Sequence, residues 1–188
     1  ARHRWLEMDG VVQSAMSLSQ PEHLCLPHQQ SIAERLPAQA SRILELGLGG
    51  GDLTRHLGAR WPEARHDCVD LDAEILTLFQ QFFQDASQRP PRLHHADALH
   101  FLLQSQDAYD LVLLDLFSQD GNPLLLFQAP IYQALARCLH GTLIVNLLPR
   151  THLELAQAKR LAEEWIGPTS AHGVPGYRNV ILHATNLA

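Results

Sequence analysis

Residues 42–52 read Arg42-Ile-Leu-Glu-Leu-Gly-Leu-Gly-Gly-Gly-Asp52, and this stretch decides the fold. Its apolar first half has the length of a short buried strand. The glycine cluster ends that strand and leads into residues 52–60, which have helical spacing. A glycine-rich turn lets a ligand approach the backbone closely and aims the N-terminus of the next helix at it. The stretch therefore predicts a strand, a ligand-binding turn and a helix.

The same alternation continues to the end of the chain. Further strands are predicted at 66–69, 92–95, 109–114, 142–148, 169–172 and 178–184, and further helices at 73–84, 98–104, 130–139 and 151–165. Strands that alternate with helices form a mostly parallel sheet with both faces covered. We therefore predict an α/β fold with a doubly wound, Rossmann-like sheet of seven strands.

The first 37 residues do not follow this alternation. Residues 3–8 and 11–18 flank Asp9-Gly10, and Asp-Gly is a strong hairpin signal. A proline-containing loop and a short helix over 29–36 follow. We predict two units, a short β-hairpin with its linker at residues 1–37 and an α/β domain at 38–188.

Composition excludes several classes of protein. The 188 residues are 46% hydrophobic and 18% charged, which excludes disorder as the main state. The net charge of −6, without a basic stripe, argues against a nucleic-acid partner. No apolar stretch approaches the roughly 20 residues that cross a bilayer, and no secretion signal opens the sequence. We expect a cytoplasmic protein with no membrane partner.

The cysteines and histidines do not indicate a metal site. Cys25, Cys68 and Cys138 are scattered and odd in number, which is typical of free thiols. The 12 histidines show neither a His-Glu-x-x-His motif nor a Cys/His knuckle. We predict that the protein holds no metal.

Acidic residues follow the three successive strands predicted at 66–69, 92–95 and 109–114, at the edge where ligands of such sheets bind. Asp70 ends the second strand of the sheet and is placed to accept both ribose hydroxyls of a nucleoside. Asp97 follows the third strand, where contact with an adenine edge and capping of the next helix are both open. Asp72 is interpreted as a helix cap. Together with the glycine turn, Asp70 and Asp97 predict an adenosine site.

The turn itself distinguishes between nucleotide classes. A nicotinamide fingerprint, Gly-x-Gly-x-x-Gly, needs a third glycine at position 52, where Asp52 stands. The pattern Glu-x-Gly-x-Gly-x-Gly is complete at Glu45, Gly47, Gly49 and Gly51, and it resembles the first motif of class I S-adenosylmethionine-dependent transferases. A tight turn without a ligand is the alternative.

Asp115 ends the most buried strand, 109–114. A carboxylate there faces the reactive carbon of a bound sulfonium, where it accepts a proton from an attacking amine or holds the amine by charge. The alternative is an aspartate that only forms the turn.

Four segments resemble the spermidine synthases and their short bacterial relatives, over residues 5–184. Leu6-Glu-Met-Asp-Gly-Val-Val-Gln13-Ser is similar to the family's "LDGVIQST", and Tyr109-Asp-Leu-Val-Leu-Leu-Asp115 to "YDVIIVD". Val69-Asp70-Leu-Asp72 is similar to "VEID", and Ala96-Asp97-Ala98 to "GDG".

The resemblance implies an aminopropyl transfer from decarboxylated S-adenosylmethionine to a small-molecule amine such as putrescine, which releases methylthioadenosine. It implies that Gln13 contacts the nucleoside and that Asp115 is the catalytic carboxylate. Asp120 is a candidate second catalytic aspartate. A homodimer is implied as well, and an apolar hairpin that one small sheet leaves uncovered agrees with it.

Three positions depart from the family pattern. Gly50 stands where the family has an aspartate that grips the donor's terminal amine, Glu22 where it has a tyrosine, and Ser118 where it has the second loop aspartate. The departures keep two alternatives open. One is a methyltransferase that uses S-adenosylmethionine and releases S-adenosylhomocysteine, and the other is a catalytically silent nucleoside-binding protein.

Overall fold

The computed structural model describes residues 2–8, 10–117 and 121–186. The strands are β1 (His3–Met8), β2 (Val11–Ser17), β3 (Arg42–Leu46), β4 (Arg65–Asp70), β5 (Arg92–His95), β6 (Tyr109–Leu114), β7 (Leu139–Leu147), β8 (Thr169–Gly173) and β9 (Val180–Thr185). The helices are α1 (Pro27–Ala33), α2 (Asp52–Arg60), α3 (Ala73–Leu78), α4 (Ala98–Gln104), α5 (Ala129–Cys138) and α6 (His152–Trp165).

Strands β3–β9 form one twisted sheet in the order β5-β4-β3-β6-β7-β9-β8. The first five pair in parallel, and β9 runs antiparallel between β7 and β8. The strand order reverses between β3 and β6, so the ends of these two strands form the switch point where ligands of such sheets bind. The predicted fold class is confirmed.

Alternation along the strands explains why both faces are covered. Ile43 and Leu111 point to one face, where they pack with Ile32 of α1 and Leu57 of α2. Leu44, next to Ile43, points to the other face, which α4, α5 and α6 cover. Successive side chains of a strand point to opposite faces, so these continuously apolar strands need helices on both.

The N-terminal hairpin is a separate two-stranded sheet, as predicted. Leu6 pairs with Ser14 whereas Glu7 pairs with Val12, so Gln13 is the extra residue of a β-bulge. Met16 of the hairpin is buried together with residues of the α/β body. The division of the chain into units at residue 37 stays a prediction.

Several elements differ from the sequence prediction: the helix predicted over 29–36 is α1 at Pro27–Ala33, and the strand predicted over 178–184 is β9 at Val180–Thr185. The helix predicted over 73–84 is α-helical only to Leu78, and Phe79–Phe83 form a wider π-helical turn. This wider turn buries Phe79 and Phe83, and the ring of Phe79 lies where a side chain on Gly51 would stand. Strand β7 begins at Leu139, three residues earlier than predicted, because Leu139 pairs with Tyr109.

None of the helices within the described ranges combines the length and the apolar character that crossing a bilayer requires.

Candidate functional site

The glycine turn after β3 is tied to both neighbouring strands. Gly47 N donates to Val69 O at 2.8 Å, and Asp115 N donates to Leu46 O at 2.9 Å. Gly47 has a φ of +91°, and a Cβ atom there would lie 2.3 Å from the carbonyl oxygen of Asp115. Glycine is therefore required at position 47, and the turn lies between the ends of β4 and β6.

Asp70, at the end of β4, faces this turn. Its Oδ2 accepts a hydrogen bond from Leu48 N at 2.9 Å, and its Oδ1 accepts one from Asp72 N at 2.9 Å. The carboxylate is half-buried and retains lone pairs for further donors. The structure thus brings Asp70 and the glycine turn together, as the sequence predicts.

Asp115 follows β6 on the other side of the turn. Its half-buried carboxylate accepts a hydrogen bond at Oδ1 from Asn146 Nδ2 at 2.8 Å. Burial raises the pKa of the Asp115 carboxyl, although the charge of His28 and the hydrogen bond from Asn146 oppose the rise. A carboxylate whose pKa is raised is a stronger base, which suits a group that takes up a proton.

The hairpin brings Ser14, the neighbour of Gln13, to the same corner. The bulge at Gln13 leaves its side chain half-buried, and its amide has no hydrogen-bond partner among the residues that the structure describes. Ser14 is buried, and its Oγ accepts a hydrogen bond from Gly50 N at 2.8 Å. A Cβ atom on Gly50 would lie 2.5 Å from Ser14 Cβ. Ser14 therefore occupies the space that a side chain at position 50 needs.

A buried ion pair behind the turn was missed by the sequence analysis. Asp52 and Arg55, one helical turn apart at the start of α2, form a salt bridge with side chains 1% and 2% exposed. Arg55 also donates to Gly50 O at 2.5 Å and to Phe83 O at 3.0 Å. An Asp-x-x-Arg spacing on an amphipathic helix is the only signal in the sequence, and it is common on surface helices.

Asp52 and Arg55 also hold the segments that precede the sheet. Asp52 Oδ2 accepts hydrogen bonds from Ala15 N and from Gln29 Nε2, both at 3.0 Å. Arg55 Nε donates to Pro21 O at 2.9 Å. The pair therefore joins the hairpin and α1 to the glycine turn.

Two of the predicted acids cap helices. Asp72 Oδ1 accepts from Glu74 N at 2.8 Å, which confirms its interpretation as the cap of α3. Asp97 is exposed, and its Oδ1 accepts from His100 N at 2.9 Å at the start of α4. The capping alternative for Asp97 is thus realised, and a contact with adenine stays a prediction.

Glu45 is placed away from the turn's open side. Its carboxylate is buried, accepts a hydrogen bond from Thr54 Oγ1 at 2.7 Å, and lies 3.1 Å from His66 Nε2. These contacts attach α2 to β3 and β4, and they favour a supporting role beneath the turn. Direct binding of a ligand by Glu45 stays a prediction.

One group of side chains has the composition of a metal site. The ligand atoms of Glu45, His66 and Cys68 all lie within 4.8 Å of one another, and all three residues are buried. Burial and the Glu45 carboxylate raise the pKa of the Cys68 thiol, which disfavours the thiolate that binds metals. The absence of a metal stays a prediction.

Asp120 and Ser118, which the sequence analysis singled out, lie outside the described residues. Glu22 is exposed, and its carbonyl oxygen lies 3.1 Å from His56 Nδ1.

Comparison with known proteins identifies the family. The sequence profile described as the spermine/spermidine synthase domain matches residues 29–164, which is more than half of the chain. The chain belongs to the spermine/spermidine synthase family. The family resemblance stated from the motifs is therefore confirmed.

Relatives of this family are similar in sequence over most of the chain. The polyamine aminopropyltransferase 1 of Pseudomonas aeruginosa is 26% identical over 165 residues, which cover 85% of this chain and 57% of that protein. The spermidine synthase of Schizosaccharomyces pombe is 27% identical over 149 residues, which cover 72% of this chain and 46% of that protein. The chain thus spans about half the length of these relatives.

Two solved structures illustrate the fold. A probable spermidine synthase from Corynebacterium glutamicum has a TM-score of 0.82 at 23% identity, covering 97% of this chain and 72% of that one. Human methyltransferase-like protein 13, in complex with SAH, has a TM-score of 0.75 at 21% identity. The match covers 85% of this chain and 82% of that one. The fold of the family is shared with methyltransferases.

Proposed function

We propose that this chain transfers an aminopropyl group from decarboxylated S-adenosylmethionine to a small amine such as putrescine. Membership in the spermine/spermidine synthase family supports this proposal. The observation that carries it is the position of Asp115, whose backbone carbonyl lies against Gly47 of the glycine turn and whose carboxylate oxygen Oδ1 is held by Asn146.

The proposed reaction is an in-line displacement at carbon. The neutral amine nitrogen forms a bond to the donor's carbon next to sulfur, the carbon–sulfur bond breaks, and its electron pair stays on sulfur. The leaving group is methylthioadenosine. The new ammonium loses a proton to the Asp115 carboxylate, and the raised pKa of that carboxyl favours the transfer.

Six residues are proposed to hold the donor's adenosine. The glycines of the turn, Gly47, Gly49 and Gly51, let the donor approach the backbone. Asp70 accepts the ribose hydroxyls, while Gln13 and Asp97 contact the base. The half-buried amide of Gln13 and the free lone pairs of Asp70 support these roles.

Methyl transfer from S-adenosylmethionine is a second candidate, favoured by the contact between Ser14 and Gly50. No carboxylate can stand at position 50 while Ser14 remains in place, because their Cβ atoms would be 2.5 Å apart. An acid there would repel the carboxylate of intact S-adenosylmethionine, so its absence permits that donor to bind.

A product assay tests the proposal. Purified protein is supplied with putrescine and either decarboxylated S-adenosylmethionine or S-adenosylmethionine, and released methylthioadenosine and S-adenosylhomocysteine are measured. We expect methylthioadenosine, with a loss of at least about 100-fold in kcat for Asp115→Asn. Asp110→Asn is the matched control, since Asp110 lies at the opposite end of β6 and accepts from Ser41 N at 2.7 Å.

Release of S-adenosylhomocysteine alone would replace the first candidate by the second. Turnover that Asp115→Asn leaves intact would refute the role of Asp115. A thermal-shift comparison of methylthioadenosine, both donors and NAD ranks the ligands independently of turnover, because stabilisation grows with ligand concentration over Kd.

The assembly is proposed to be a homodimer in the cytoplasm. Large apolar side chains of the hairpin, Trp5, Met8, Val11 and Val12, are exposed, and an exposed apolar patch favours association. Analytical ultracentrifugation is expected to give a dimer, and a strict monomer at all concentrations would contradict this.

A further inference from the structure

A chain of amide side chains lies behind Asp115. Asn146 Nδ2 donates to Asp115 Oδ1 at 2.8 Å, and Asn179 Nδ2 donates to Asn146 Oδ1 at 3.0 Å. Asn146 is 0% exposed at the end of β7, and Asn179 lies just before β9, the strand that pairs with β7. Asn146 at the end of β7 and Asn179 just before β9 therefore form one continuous line of hydrogen bonds to the carboxylate.

The direction of these bonds matters for the carboxylate. An asparagine amide has nearly the same shape when its oxygen and nitrogen are exchanged, but only the NH₂ group attracts a carboxylate. Because Asn179 donates to the oxygen of Asn146, the NH₂ group of Asn146 is turned toward Asp115. The opposite orientation would place two acceptors, the Asn146 oxygen and the carboxylate, against each other.

The backbone around this line is held as well. Asn122 Nδ2 donates to Leu116 O at 3.0 Å, and Asn122 Oδ1 accepts from Leu148 N at 2.5 Å. Asn122 thus joins the residue after Asp115 to the segment after β7, without bonding to the Asp115 side chain. This connection holds the segments that follow β6 and β7 together next to Asp115 and Asn146.

We infer that Asn146 is a positioning residue for Asp115, and that Asn179 sets the orientation of the Asn146 amide. This inference rests on the proposed function and deepens it. Asn146 occupies Oδ1 of the carboxylate, so Oδ2 is left to meet the attacking amine. A carboxylate held by one oxygen in this way cannot rotate away from the reacting atoms, which lowers the cost of reaching the reactive geometry.

The largest electrostatic effects on the Asp115 carboxyl come from His28 of α1, Glu45 of β3 and Asp52 of α2. These groups are the same in the wild type and in variants of Asn146 or Asn179. A difference in the titration of Asp115 between the proteins therefore reports the amide alone.

Three variants test the inference. Asn146→Leu keeps the branched shape of the side chain but removes both the donor to Asp115 and the acceptor for Asn179, and Asn179→Ala removes the bond that orients the Asn146 amide. Asn186→Ala is the control, because the Asn186 amide bonds to Leu139 O at the opposite end of β7. The kcat/KM of each is measured against pH, and the titration of the Asp115 carboxyl is followed by ¹³C NMR, with Asp115→Asn identifying the signal.

Loss of a hydrogen bond to the charged form raises the pKa of a carboxyl. We expect the acidic limb of kcat/KM to move to higher pH in Asn146→Leu, and by a smaller amount in Asn179→Ala, with Asn186→Ala unchanged. In Asn146→Leu we expect kcat to fall about tenfold or more while KM changes less. A merely structural role would not move the Asp115 titration.

The outcomes separate this inference from the proposed function. An active wild type whose Asp115 titration is the same in all variants overturns the inference. A wild type without aminopropyl transfer, but with a titration that moves as expected, overturns the proposed function and leaves the positioning role intact. If Asn146→Leu does not fold, the half-buried Asn179 carries the test, and an unmoved titration in Asn179→Ala overturns the inference.

Discussion

Ser14 Oγ lies 2.8 Å from Gly50 N and accepts its hydrogen, so the N-terminal hairpin is seated directly on the glycine turn. The contact joins residues 36 positions apart in sequence. It places a small polar side chain over the part of the turn where the family resemblance puts an acid that binds the donor's amine. Under the proposed function, we therefore expect the donor preference to depend on the hairpin as well as on the turn.

This contact predicts the effect of restoring an acid at position 50. Gly50→Asp alone is expected to lower stability, because its Cβ would meet Ser14 at 2.5 Å. The pair Ser14→Gly with Gly50→Asp relieves the collision and offers a carboxylate to the donor's ammonium. We expect calorimetry to show its preference for the decarboxylated donor over S-adenosylmethionine rising about tenfold, or about 1.4 kcal/mol, relative to Ser14→Gly alone. An unchanged ratio would mean that the donor's amine lies elsewhere.

Asp70 is expected to contribute to nucleoside affinity. Asp70→Ala removes the proposed acceptor of the ribose hydroxyls and should weaken methylthioadenosine binding by about 1–3 kcal/mol in titration calorimetry. Asp72→Ala is the matched control, because Asp72 caps α3 and its loss should cost about 1 kcal/mol of stability without changing affinity. Equal affinities of the wild type and Asp70→Ala would exclude the ribose role.

Local patterns account for what the sequence predicts well. The strand before Gly47, the acid at the end of β4 and the cap at Asp72, whose Oδ1 accepts from Glu74 N at 2.8 Å, each depend on a few neighbouring residues. Alternation of strand and helix then fixes which strand ends share an edge. For this reason the association of the glycine turn with Asp70 and Asp115 could be predicted.

The parts that sequence reasoning missed depend on contacts between distant segments. Nothing near Ser14 indicates that it meets Gly50, and nothing near Asn146 indicates that it bonds to Asp115, 31 residues away. Glu45 matches a motif, yet only the structure shows that its carboxylate bonds to Thr54. The wide turn at Phe79–Phe83 likewise depends on burial of Phe79 against Gly51.

The buried pair of Asp52 and Arg55 is predicted to control stability. Removing one partner of a buried pair leaves an uncompensated charge, so Arg55→Met should reduce the free energy of unfolding in urea by about 3–5 kcal/mol. The double variant Asp52→Asn with Arg55→Met should lose less than the sum of the two single losses, because both remove the same interaction. Arg160→Met is the control, since the exposed pair of Arg160 and Glu164 is worth at most about 1 kcal/mol. Equal losses in Arg55→Met and the control would contradict this assignment.

Asp67 is predicted to make stability depend on pH in the acidic range. Its buried carboxylate accepts hydrogen bonds from His94 Nε2 and Arg92 Nε, both at 2.7 Å. Burial by itself would raise the pKa of Asp67, but the bonds from His94 and Arg92 outweigh it, and the pKa is lowered in the folded protein.

A carboxyl whose folded pKa is lowered stabilises the protein above its unfolded pKa, about 3.9, and this contribution is lost as the pH falls through the folded pKa. Asp67→Asn should therefore lower the free energy of unfolding by about 1–3 kcal/mol at pH 7. The difference from the wild type should shrink once the pH falls below about 4. Urea unfolding at a series of pH values from 7 to 3 measures this difference in the free energy of unfolding. Glu163→Gln is the control, because Glu163 forms an exposed ion pair with Lys159. A difference that stays constant over this range would show that the Asp67 carboxyl has the same pKa in both states, since only a changed pKa makes the stability difference depend on pH.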